Sequence, residues 1–144
     1  MILHGGLIAL RTGGAWRGVL IEGPAGAGKS DLALRCLAEG FQLVADDRVV
    51  LWTSAGRLFG RAPDTLFGRL EVRGLDVVSV PARPLAEVAL AVRCGAPERI
   101  PDATFAEILG VSAPLLVLDP REASAPAKLS RALSHFDAAH KRRI

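Results

Sequence analysis

The sequence predicts an α/β protein built on a mixed β-sheet with flanking helices, and three stretches predict it. The first is Gly23-Pro24-Ala25-Gly26-Ala27-Gly28-Lys29-Ser30, which fits G-x-x-x-x-G-K-[ST]. It stands between an apolar run, Val19-Leu20-Ile21, and a helical pattern of Leu32, Ala33, Cys36 and Leu37 closed by Gly40. The second is Phe41-Gln42-Leu43-Val44-Ala45, a strand ending in Asp46-Asp47. The third follows almost at once: Val49-Val50-Leu51-Trp52, a turn at Ser54-Ala55-Gly56, and Arg57-Leu58-Phe59. Doubly wound nucleotide-binding folds place a helix there instead of a hairpin, so antiparallel pieces are expected beside parallel ones.

In chain order, Leu7-Ile8-Ala9-Leu10 and the run from Trp16 to Ile21 flank Gly13-Gly14 and read as a hairpin feeding the glycine-rich loop. The first helix is expected over residues 29–39, with Gly40 as its left-handed stop. Residues 60–68 are loop-like, with a turn at Pro63-Asp64. Leu70-Glu71-Val72-Arg73-Gly74 and Val77-Val78-Ser79-Val80 are short strands, the second stopped by Pro81 and Pro84. Residues 86–92 read as a central strand, with a helix as the other possibility. Residues 97–110 carry no clear period. Leu115-Leu116-Val117-Leu118 reads as a buried strand closed by Asp119-Pro120. Ser124 then caps a last helix with Pro126 in its first turn, and Leu129, Leu133 and Phe136 recur at helical spacing as core residues.

At 144 residues, half of them hydrophobic, the chain is expected to form one domain, residues 1–144, with a core that needs no staples. No apolar run approaches the roughly 18 residues of a membrane span, and Met1-Ile2-Leu3-His4-Gly5 lacks the features of a signal peptide. A cytoplasmic protein with no membrane partner is expected. Cys36 and Cys94 read as reduced core thiols. The net charge is +3, but the basic residues are dispersed apart from the tail His140-Lys141-Arg142-Arg143, which reads as solvated. No aromatic residues interleave with them, so a nucleic-acid platform is not expected.

The glycine-rich loop carries the clearest chemistry. Three glycines let the backbone curl so that successive N–H groups converge on one anion, and the following helix aims its positive end at the same point. Lys29 adds a mobile cation for the β- and γ-phosphates, and the Ser30 hydroxyl suits a phosphate-bound Mg²⁺. The motif predicts binding of a nucleoside triphosphate without specifying its fate. Transfer needs further acids. Asp46-Asp47 ends an apolar strand, where ligand-facing residues of α/β sheets collect. The pair reads either as a Mg²⁺ anchor and a proton acceptor or as a solvated turn. Strand alternation puts Glu71 and Arg73 on one face, as a metal ligand with a phosphate clamp or as an exposed ion pair. His4 alone reads as a surface histidine, and Arg99 and Arg121 carry no signal of their own.

His4-Gly5, the loop from Gly23 to Ser30, Leu43-Val44-Ala45-Asp46-Asp47 and Leu70-Glu71-Val72-Arg73-Gly74-Leu75 stand in one order that resembles the catalytic domain of HPr kinase/phosphorylase. The resemblance covers about residues 4–120, and the Glu-x-Arg-Gly-Leu segment is its most specific part. It implies a phosphate-loop fold of the phosphoenolpyruvate-carboxykinase type. It also implies ATP-dependent phosphorylation of a serine on the phosphocarrier protein HPr, with reversal by inorganic phosphate. By position, Asp46 matches the family's general base, Asp47 the neighbouring acid, and His4 the histidine near the phosphates. Lys29 matches the phosphate-binding lysine, Ser30 and Glu71 the metal positions, and Arg73 and Arg99 nucleotide-side arginines. ATP and Mg²⁺ are the implied cofactors, and a homo-oligomer, the hexamer of the family, is the implied assembly.

Two departures stand out. Only three residues precede His4, as in a short form without the family's N-terminal domain. Asp119-Pro120-Arg121-Glu122-Ala123-Ser124 also replaces the family's Gly-Arg-Asn-like turn, in a region that belongs to the family's C-terminal part, which helps dock the partner and build the hexamer. Such a form suits a regulatory phosphorelay. The alternatives are a nucleotide-binding regulatory module without catalysis, and a kinase acting on a small-molecule hydroxyl.

Overall fold

The structure is a computed structural model that describes residues 1–142, with side chains described through Phe136. The basic run beginning at His140 lies outside those described side chains.

The chain opens with β1 (Ile2–His4) and the hairpin β2 (Gly6–Thr12) and β3 (Ala15–Glu22), turned at Gly13 and Gly14 with φ of 58° and 80°. The glycine-rich loop leads into α1 (Lys29–Ala38), which Gly40 ends at φ 96°. β4 (Gln42–Ala45) is followed by the hairpin β5 (Arg48–Ser54) and β6 (Arg57–Arg61). A single 3₁₀ turn, Asp64–Leu66, precedes a separate two-stranded hairpin, β7 (Arg69–Val72) and β8 (Asp76–Ser79). β9 (Ala86–Cys94), β10 (Thr104–Ile108), β11 (Val111–Leu118) and α2 (Ala125–Arg142) complete the fold. The strand over residues 86–92 is thus settled against a helix, and residues 97–110 contain a strand that periodicity did not reveal.

Among the described residues, nine strands form the main sheet, ordered β1-β5-β6-β9-β3-β2-β4, with β11 and β10 branching from β9. One edge of β9 pairs with β3 along residues 87–93. The other edge is shared: β6 takes Ala86 and Glu87, and β11 takes residues 91–94. This sharing curls the sheet and separates two apolar clusters. One packs Ile8, Val19, Ile21, Leu90 and Val92 under α1 and α2, with Leu129 and Leu133 fully or nearly fully buried. The other packs Leu7, Leu20, Val49, Leu51 and Leu58 on the opposite face.

The strand at residues 115–118 departs from expectation. Only Leu118 is fully buried, while Leu115, Leu116 and Val117 are half-buried. They line a cleft of about 770 Å³ between β11, the loop of residues 97–103 and α2. Period and hydropathy identify the strand but not how closely a helix will cover it.

Cys36 is fully buried on the inner face of α1, and burial pushes its thiol up to about 12. The neutral thiol of the folded state therefore competes with a thiolate in the unfolded chain once pH passes the ordinary value of 9.0. The unfolded state then binds fewer protons, so stability falls as pH rises from about 9 towards 12. Denaturant melts should show that decline in wild type and a shallower one in Cys36→Ala, measured relative to each protein's stability at pH 8.

Candidate functional site

β2 runs antiparallel to both β3 and β4, so β3 and β4 point the same way. β9 is parallel to β3, and β11 is parallel to β9. Four strands therefore deliver their C-terminal ends to one rim of the sheet, where α/β folds collect ligand-facing groups. β3 brings the glycine-rich loop, β4 brings Asp46-Asp47, β9 brings Cys94, and β11 brings Asp119-Pro120-Arg121.

The loop has the backbone that its glycines predict. Gly26 and Gly28 sit at φ 79° and 103°, and Gly28 is the left-handed cap of α1. The Ala27 N–H donates to the Pro24 carbonyl at 3.1 Å. Lys29 folds back over the loop, its Nζ donating to the carbonyls of Gly23 at 2.6 Å and Pro24 at 3.0 Å. Cys94 packs on the first glycine: a Cβ on Gly23 would lie 2.8 Å from the Cys94 Cβ. Burial raises the Cys94 thiol, against a lowering by Lys29 and with a smaller rise from Asp119.

Asp46 and Asp47 occupy different environments. Asp46 is 7% exposed, and both of its oxygens are engaged. The Ser30 Oγ donates to Oδ1 at 2.8 Å, and the Glu71 backbone N–H donates to Oδ2 at 3.1 Å. The Asp47 side chain is 71% exposed, with Arg48 Nε 3.8 Å away. Its backbone is left-handed at φ 69°, an uncommon conformation for a residue with a Cβ. A three-residue turn holds it there, since Arg48 N–H donates to the Asp46 carbonyl at 2.8 Å. The Asp47 carbonyl in turn accepts from Gly5 N–H at 3.1 Å, and Gly6 pairs with Ile21 at the end of β3.

The other expected residues divide. His4 is exposed at the end of β1, opposite Arg48, beside the acid turn. Glu71 is brought to Asp46, but through its backbone N–H; its carboxylate is exposed. β7 ends at Val72, so Arg73 lies in the hairpin turn with Gly74 at φ 84° and does not continue the face of Glu71. Arg99 lines the cleft under α2, whose lining includes no residue of the glycine-rich loop.

Sequence reasoning missed two residues at the site. Gly5 wedges between β3 and the Asp47 turn, and Arg121 reaches the loop, its Nη2 donating to the Gly26 carbonyl at 2.8 Å. The rule that site residues follow strand C-termini, applied to Leu118, is the signal that would have found Arg121.

The residues suit a metal bound mainly through phosphates. Ser30 Oγ and Asp46 Oδ1 form an adjacent pair of hard oxygen donors. Among the described residues no group of three or more His, Cys, Asp or Glu side chains could hold a metal alone. Among those residues, too, no helix is long and apolar enough to cross a membrane.

A family model described as the HPr Serine kinase C-terminal domain matches residues 1–83. The HPr kinase/phosphorylase of Clostridium tetani is 46% identical over 65 residues, covering 45% of this chain and 21% of that protein. The HPr kinase/phosphorylase of Malacoplasma penetrans is 40% identical over 77 residues, covering 54% of this chain and 24% of that protein. The matched segment thus spans less than a quarter of either relative's length. The structure of the Hpr(Ser) kinase/phosphatase from Coxiella burnetii matches with a TM-score of 0.82 at 24% identity, over 98% of this chain and 99% of that one. That match shows a common fold, reaching past residue 83 to β9, β11 and α2. With its family model matched across the loop, the acid pair and the Glu71 strand, the chain belongs to the HPr serine kinase C-terminal domain family.

Proposed function

We propose that the protein is an ATP-dependent kinase that phosphorylates a serine on an HPr-type phosphocarrier protein, and that it also runs the reaction in reverse with inorganic phosphate. One observation carries the reading. A buried acid is hydrogen-bonded to the loop serine, while a second, exposed acid is held in a left-handed turn immediately beside it. The relatives named HPr kinase/phosphorylase supply the acceptor.

In this reading Lys29 leaves the carbonyls of Gly23 and Pro24 to hold the β- and γ-phosphates against the loop N–H groups. Ser30 and Asp46 would hold Mg²⁺, which would supply charge neutralisation to the phosphates. The Asp46 carboxylate is occupied on this side, so the general-base role goes to Asp47 and not to Asp46. A seryl hydroxyl is a weak nucleophile until its proton has a destination. Asp47 takes that proton as the seryl oxygen bonds to the γ-phosphorus, the bond to the β–γ bridging oxygen breaks, and ADP leaves. In reverse, inorganic phosphate attacks the phosphoserine phosphorus, Asp47 returns a proton to the departing seryl oxygen, and pyrophosphate forms. His4, opposite Arg48, and Glu71, whose N–H binds Asp46, lie beside the two acids. A cytoplasmic setting and a homo-oligomer belong to the same reading.

The test incubates the chain with γ-labelled ATP, Mg²⁺ and HPr-type proteins from the same cell. Label on a serine is expected. No transfer to any of them ends the proposal, and transfer to a metabolite hydroxyl in a parallel panel would replace it with a small-molecule kinase.

A further inference from the structure

The backbone around Arg121 is fixed to α1, while its side chain lies exposed on the phosphate loop. The Arg121 N–H donates to Asp119 Oδ1 at 3.0 Å. On either side, the carbonyls of Pro120 and Glu122 both accept from the Arg35 guanidinium, the latter at 3.0 Å. Arg35 is itself paired with Asp31 one helical turn away, at 3.0 Å. The peptide groups bracketing Arg121 therefore cannot drift from the helix that begins at the loop.

The Arg121 side chain crosses from this mount to the loop. Its Nη2 donates to the Gly26 carbonyl at 2.8 Å, and its Cγ and Nε lie 3.7 and 3.9 Å from where a Cβ on Gly28 would stand. Among the described residues no carboxylate pairs with this guanidinium. Its charge instead rests on the loop that leads into the positive end of α1, the loop on which Lys29 also rests. Lys29 rests on the carbonyls of Gly23 and Pro24, and Arg121 on that of Gly26, so two cations sit on two shoulders of one anion cradle.

We infer that Arg121 is a second cationic clamp on the nucleotide polyphosphate, leaving Gly26 to pair with phosphate oxygens when a nucleotide enters. The inference rests on the nucleotide-binding reading above. A guanidinium presents five N–H donors in a planar fork that matches phosphate oxygens two at a time, and the contact with Gly26 uses one of them. The clamp needs only a turn of the side chain, because the peptide groups beside it are held by Arg35.

The test is calorimetry of Mg-ATP and of Mg²⁺ with inorganic pyrophosphate, at several salt concentrations. It compares wild type, Lys29→Ala, Arg121→Ala, Arg121→Gln and Arg121→Lys. Gln is the discriminating variant, because it can still donate to the Gly26 carbonyl but carries no charge. Expected are at least about tenfold weaker binding of both ligands by the Ala and Gln variants, and a shallower salt dependence. The Lys variant, which keeps the charge but not the planar fork, should recover only part of the affinity. Thermal melts without ligand should stay within a few degrees of wild type for Gln and Lys. If Arg121→Gln binds like wild type while Lys29→Ala does not, Arg121 only props the loop and the clamp alone falls. If folded wild type binds neither ligand, the nucleotide reading falls and takes the clamp with it.

Discussion

Asp47→Asn is expected to slow phosphoryl transfer by at least about a hundredfold, the scale of a lost general base, while Mg-ATP affinity stays within about threefold of wild type. Asn tolerates the left-handed backbone at φ 69°, so the turn and the hydrogen bonds its carbonyls accept from the Arg48 and Gly5 N–H groups should persist. The change then isolates the carboxylate. Asp46→Asn should behave differently. It removes the charge beside Ser30 and places an amide where two donors, Ser30 Oγ and the Glu71 N–H, now meet carboxylate oxygens. Its loss should appear as weaker Mg²⁺-dependent ATP binding, by about tenfold or more, and in transfer at limiting Mg²⁺. Titrations and single-turnover transfer on both variants separate the roles. If Asp46→Asn binds Mg-ATP normally yet cannot transfer, and Asp47→Asn transfers normally, the assignments are reversed.

Gly5→Ala is expected to damage both the fold and the chemistry. A Cβ on Gly5 would lie 2.5 Å from the Ile21 carbonyl oxygen, a backbone atom at the end of β3 that cannot turn aside. Relief requires the β1–β2 link to move away from β3 where β3 passes into the glycine-rich loop. Overpacking of this kind costs about 1–3 kcal/mol, or roughly 3–10 °C in Tm. The same movement strains the 3.1 Å hydrogen bond from Gly5 N–H to the Asp47 carbonyl, so transfer should fall more than about tenfold. Gly95→Ala is the control, since its Cβ would find Val117 Cγ1 at an ordinary 3.5 Å. It should melt and turn over nearly as wild type. A Gly5→Ala protein indistinguishable from wild type in both measurements would show that Gly5 does not set the acid turn.

Much of this was legible in the chain because its signals are local. The glycine spacing before Lys29-Ser30 dictates a curled backbone whatever surrounds it, and Gly26 and Gly28 adopt the left-handed conformation that such a curl requires. The two hairpins at Gly13-Gly14 and Ala55-Gly56 follow from turn chemistry between apolar runs. The weak region at residues 97–110 had no such help. β10 is an edge strand with Phe105 53% exposed, so its face leaves no regular apolar period.

Residue type and spacing by themselves determined the mixed α/β fold, the curled glycine-rich loop and the presence of acids at the end of β4. Only tertiary structure buried Asp46 against Ser30 while leaving Asp47 exposed, set Arg99 in the cleft under α2, and brought Arg121 to the loop and Gly5 to the Asp47 turn. The reason is physical. A backbone turn is set by neighbours a few residues apart, whereas burial and hydrogen-bond partnership depend on which distant strands end at the same rim. Ser30 meets Asp46 sixteen positions on, and Arg121 meets Gly26 across ninety-five.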